Sequence, residues 1–155
     1  MKRKEKKSLS KAGLEFWGML DLKDADDTKD PKEIIRGNFH AVLDLSQNKI
    51  KDAKIIYKAL KVNTALKELN LAYNKIENGK AISEVPKINK MLMTLNLMDN
   101  NLANKGARII GEMIKVNKTL VDLNASLNEI EDTEEIFEGL KFNRPLKVLK
   151  LKRIG

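Results

Sequence analysis

The chain has 155 residues, a net charge of +8, no cysteine and one histidine. That length suits one domain with a core of its own. The absence of thiols excludes a disulfide framework and fits a reducing cytoplasm or nucleus, and no apolar run approaches the length of a membrane span, which predicts a soluble protein.

Residues 1–9 begin MKRKEKK, a basic stretch with no apolar segment after it, so they do not read as a secretory signal. Lys2, Arg3, Lys4, Lys6 and Lys7 against Glu5 sum to +4, half of the net charge. We expect a disordered basic arm here. Its simplest role is a solvated tail; the alternative is a contact to RNA, an acidic protein surface or an import receptor.

Residues 10–37 read as a helical cap and a linker. Ser10 is placed to cap a short helix whose Leu14, Trp17 and Leu20 share a face, with Phe16 beside them. A repeat stack needs a cover at its end, so this helix is expected to close the N-terminal end of the repeats. Asp24, Asp26, Thr28 and Asp30 have the alternate spacing of a calcium loop. Lys29 stands where that loop needs Gly and Ile35 where it needs Glu, so no calcium site is expected. Pro31 then opens a helical turn that Gly37 ends.

From residue 38 the chain is periodic. Apolar triplets fall at Leu66, Leu69, Leu71, then Leu92, Leu95, Leu97, then Leu120, Leu123, Ala125, then Leu146, Leu149, Leu151; the first unit has His40, Leu43, Leu45. An asparagine follows each of the first four triplets by three residues, at Asn48, Asn74, Asn100 and Asn128, with spacings of 26, 26 and 28. The units close alike, in LKVN, PKIN, IKVN and LKFN. The L-x-L portion predicts a short strand whose leucines point inward. The second half has helical spacing, as in Ile56, Leu60 and Val62, in Ile109, Ile110, Met113, Ile114 and Val116, or in Ile136, Leu140 and Phe142. A repeated strand and helix predicts an α/β solenoid of about four repeats plus a terminal strand, parallel sheet on one side and helices on the other. The four asparagines are expected to form a ladder, bonding backbone groups of their own and the next unit. Pro86 is expected to shorten or tilt the second helix.

The pattern L-x-x-L-x-L-x-x-N-x-I/L, with Gly106 and Ala107 at one helix start and a closing Asn, resembles leucine-rich repeats over residues 38 to 154. Unit length and the full helix resemble the ribonuclease-inhibitor-like class. The resemblance implies a curved solenoid with its parallel sheet on the concave face, and cytoplasmic protein binding by that face or its adjoining loops.

Little in the chain carries reaction chemistry. One histidine, at an inward leucine position, builds neither a Ser/His/Asp set nor a His/Cys metal site, and no phosphate-binding glycine motif occurs. Glu134 and Glu135 complement the dipole of the helix they begin. We therefore expect no enzyme, no cofactor, no metal and no small-molecule substrate. The expected contact surface is the sheet face: Asn70, Asn96, Asn124 and Lys150 between the strand leucines, then Tyr73, Met98, Asp99, Leu127, Lys152 and Arg153 just beyond. Tyr73, Met98 and Leu127 are its exposed apolar candidates.

The leading expectation is a protein-interaction or scaffold module, a subunit of a larger assembly that binds through the concave sheet and the stack ends. A second is a basic adaptor on RNA or on a cytoskeletal or ciliary filament. A third is a regulator of a small GTPase or a nuclease, as relatives of the resembled class include such proteins.

Overall fold

Each strand is only three residues long, because the side-chain period of two lets one leucine face the core between two residues that do not. The computed structural model describes residues 41–77 and 79–152. The basic arm, the cap and linker, His40 and Arg153 lie outside the described residues. Five strands, β1 (Val42–Asp44), β2 (Glu68–Asn70), β3 (Thr94–Asn96), β4 (Asp122–Asn124) and β5 (Val148–Lys150), pair in parallel in sequence order. Their register aligns Leu43, Leu69, Leu95, Leu123 and Leu149 in one row. The first four are buried and Leu149, on the last strand, is half-buried.

Four helices return the chain between strands: α1 (Lys54–Val62), α2 (Lys80–Ile88), α3 (Ala103–Val116) and α4 (Glu134–Lys141). Their inner faces place Ile56, Leu60, Ile82, Val85, Ile110, Met113, Ile114 and Ile136 against the strand leucines, and the core lies between the two layers. The fold is an α/β leucine-rich-repeat solenoid, as its period predicts.

The long third unit takes up its two additional residues in the helical half. Asn100 to Asn117 is 17 positions, against 15 from Asn74 to Asn89 and from Asn128 to Asn143. Correspondingly α3 has 14 residues where α1 and α2 have 9 and α4 has 8. The shorter α1 and α4 are capped by carboxylates: Asp52 Oδ1 accepts the Lys54 N–H and Asp132 Oδ1 the Glu134 N–H, both at 2.9 Å. Gly106 and Ala107 lie buried one turn inside α3.

Pro86 does not shorten α2, which runs through it to Ile88 and equals α1 in length. Two residues expected in the core stripe are exposed instead. Val116 is the last residue of α3, and Phe142 lies just past α4, with its ring 5.0 Å from Lys115 Nζ.

Candidate interaction surface

On the sheet face the residues after the strand leucines begin turns. The Oδ1 atoms of Asp44, Asn70, Asn96 and Asn124 accept the N–H two residues on, at 2.9 to 3.1 Å. Their side chains are thereby fixed and half-buried along one column. Asn70 Nδ2 donates to Asp44 Oδ1 at 3.1 Å, whereas the amide nitrogens of Asn96 and Asn124 make no hydrogen bond within the described residues. Lys150 breaks the column. The N–H of Lys152, which has no such acceptor in its own unit, donates to Ser126 Oγ of the preceding one at 3.1 Å.

Two residues after the last apolar position of each of the first four triplets (Leu45, Leu71, Leu97 and Ala125) the backbone turns left-handed, at Gln47 (φ 61°), Tyr73 (56°), Asp99 (52°) and Leu127 (58°). Non-glycine residues rarely adopt this conformation, and here a hydrogen bond to the following unit holds each of them. Tyr73 N donates to Met98 O at 2.9 Å and Asp99 N to Ser126 O at 2.9 Å. The backbone pairing thus continues past the strands, and these side chains are displayed from a rigid ledge. Tyr73 is 47% exposed. Met98 and Leu127 are half-buried, less open than a strand alternation implies, because that alternation ends at the third strand residue. Asp99, Lys150 and Lys152 are exposed.

The asparagines after the turn are buried beneath this ledge or half-buried, as Asn48 is. Asn74 Nδ2 donates to Leu71 O and Leu45 O, both at 2.9 Å, while its Oδ1 accepts from Asn48 N and Ile50 N. Asn100 repeats this with Leu97 O, Leu71 O and Ile76 N. The neighbour they reach is the preceding unit, not the next. Asn128 Nδ2 donates likewise to Leu97 O and Ala125 O, but its buried Oδ1 has no partner. In this longer unit Ala103 N instead donates to the Asn128 carbonyl, at 2.9 Å.

A second asparagine row closes the units, and its bonding was not read from the sequence although its recurrence was visible. Asn89 Oδ1 accepts Met91 N and Leu92 N while Nδ2 donates to Leu60 O and Asn63 O. Asn143 repeats the pattern with Leu146 N, Ile114 O and Asn117 O. This row stitches the rim where helices run into strands. Along the same rim Met93 N donates to Lys67 O, Val121 N to Met93 O and Lys147 N to Val121 O, at 2.7 to 2.9 Å. Exposed apolar side chains stand there, Met91, Met93, Val116 and Phe142 among them. Lys87 on this rim bonds Glu84 at 2.7 Å, and that hydrogen bond raises its pKa above the ordinary lysine value.

Among the described residues no helix is long and apolar enough to cross a membrane, and no three His, Cys, Asp or Glu side chains gather as a metal site.

A family model described as leucine rich repeat matches residues 62–79 and 89–110. No curated protein matches the chain significantly. Among solved structures the chain is similar in fold to actin-binding site 2 of leiomodin-1, with a TM-score of 0.66 and 24% identity over 84% of this chain and 80% of that one.

Proposed function

We propose that this chain is a non-enzymatic protein-interaction module whose sheet face binds a cytoskeletal protein, with actin as the first candidate. The observation that carries the reading is the ledge of Tyr73, Met98 and Asp99 beside the amide nitrogens of Asn96 and Asn124, which make no hydrogen bond within the described residues. The backbone N–H groups of Tyr73, Met98 and Asp99 are already hydrogen-bonded, so a partner meets side chains held in place at little entropic cost. Tyr and Met suit the centre of such a contact, and Lys150 and Lys152 supply a basic border at the last strand. Actin is named because the similar solved fold is an actin-binding site of leiomodin-1. The repeat length and full helices support the ribonuclease-inhibitor-like class. Residues 10–37 are assigned as the N-terminal helical cap and linker, and the cytoplasm is the compartment in which such a partner is met.

The test is co-sedimentation with filamentous actin, and gel filtration with monomeric actin, using the full chain. The chain is expected to bind one form, and Tyr73→Ala with Asp99→Ala is expected to weaken binding by about tenfold, the effect of one well-placed contact residue. A chain that stays with neither form at low salt removes actin from the reading.

A further inference from the structure

The end of each helix and the segment joining it to the next strand span 61–67, 87–93, 115–121 and 141–147. They contain nine lysines and arginines and no aspartate or glutamate. Parallel strands in sequence order bring all four segments to one rim, and the hydrogen bonds from Lys67 through Met93 and Val121 to Lys147 place them side by side. Neighbouring strands stand about 4.8 Å apart, so the charges there form a continuous band.

Helix polarity accounts for part of this band. Lys61, Lys87, Lys115 and Lys141 lie in last turns, where a cation complements the helix dipole. Lys87 and Lys141 also pair with Glu84 and Glu138. Lys90 serves the same helix end, its Nζ donating to Lys87 O at 3.0 Å. That explanation does not reach Lys118 and Arg144, or Lys67 and Lys147, which lie beyond the helices and are exposed. Nor does it explain Met93 at 44% and Phe142 at 55% exposure between them. In the last unit the opposite rim is acidic, with Glu129, Glu131, Asp132, Glu134 and Glu135 all exposed, so charge is segregated there, whereas in the first two units that rim is mixed, with Lys49, Lys51 and Lys75 beside Asp52 and Glu77.

We propose that this rim is a second docking surface, distinct from the sheet face, whose ligand is an acidic protein segment with apolar side chains set among its carboxylates. Carboxylates answer the lysine band, and apolar side chains cover Met91, Met93 and Phe142. A nucleic acid answers only the charge, and one exposed ring offers no platform for successive bases. The inference rests on the reading of the chain as a protein-binding module.

The experiment uses the full chain with Lys2, Arg3, Lys4, Lys6 and Lys7 changed to Gln, so that the arm does not report. The probes are a labelled peptide alternating Glu with Leu and Phe, poly-glutamate of equal charge, single-stranded oligothymidine of equal charge and phosphatidylserine vesicles. The alternating peptide is expected to bind at least about tenfold more tightly than poly-glutamate, the equivalent of ~1.4 kcal/mol. K118E/R144E/K147E is expected to abolish this binding with the circular dichroism spectrum unchanged, M91Q/M93Q to erase the preference over poly-glutamate, and Tyr73→Ala to alter neither. Equal binding of poly-glutamate or oligothymidine, binding of vesicles alone, indifference to the charge reversal, or no binding overturns the proposal. If the rim fails while actin binding through Tyr73 stands, only this inference falls; if the chain binds no probe and no actin, the protein-binding reading falls with it.

Discussion

Asn74 shows how much one amide holds together in a repeat. It donates to Leu45 O and Leu71 O and accepts from Asn48 N and Ile50 N, joining two units at a buried point. Asn128 stands at the equivalent place and uses only its nitrogen. Removing Asn74 leaves buried donors and acceptors without water, so Asn74→Ala is expected to cost about 3 kcal/mol, the upper end for orphaned buried groups. Asn128→Ala strands only carbonyls and is expected to cost about 1 kcal/mol less. Urea unfolding at constant m checks both; equal costs would show that the Asn74 oxygen contributes nothing net. The amide itself was legible in the sequence from its period, because a repeated buried polar group has few other uses. Which neighbour it bonds was not, since Asn can reach in either direction along the stack.

At the scale of elements, the period identified strands and helices because every unit repeats one register, and β1 to β5 fall on the leucine triplets. What the pattern did not locate is where each element stops. Helical spacing places residues on a common face only while the helix lasts. α4 ends at Lys141, so Phe142 leaves the stripe and emerges on the rim; Val116 does so at the end of α3. For the same reason Met98 and Leu127, past the strand ends, are half-buried although alternation put them outside. The close packing of α3 on α4 also escaped the pattern, since a glycine in a helix reads only as a weak helix former. A Cβ built on Gly111 would stand 2.2 Å from Glu135 O, and one on Gly139 would stand 2.4 Å from Gly111 O. Both obstacles are backbone, which cannot rotate away. Gly111→Ala, which in an exposed helix would gain about 1 kcal/mol, is therefore expected to lose about 2–3 kcal/mol by forcing the helices apart. Gly79→Ala is the control, because its nearest neighbours are side-chain carbons of Leu102 and Ile109 at 3.1 and 3.2 Å. Thermal unfolding midpoints should fall for the first and move little for the second.

Over the described residues the molecule is a stack in which each strand pairs, and each helix packs, only with its sequence neighbours. Stability in such an array is a sum of unit and interface contributions, so it depends on how many neighbours a unit has. Leu95 on β3 is 1% exposed between Leu69 and Leu123. Leu149 on β5 has a neighbour in the sheet on one side only among the described residues, and it is half-buried with Leu146 and Leu151. Truncating a leucine costs its transfer energy and the cavity left behind, and both shrink where the site is already open. Leu95→Ala is accordingly expected to cost about 3–4 kcal/mol and Leu149→Ala about 1 kcal/mol. Amide exchange should show the same gradient, slowest in β3 and β4 and fastest in β5, because a terminal unit opens without disturbing the rest. Equal protection from β1 to β5, with equal costs for the two leucines, would mean that the stack unfolds only as a whole. The two proposed surfaces would then share one rigidity. With the gradient, the middle of the sheet around Tyr73 and Asp99 is the firm platform, while the rim at Arg144 and Lys147 belongs to the unit that opens first and gains most in order when a partner covers it.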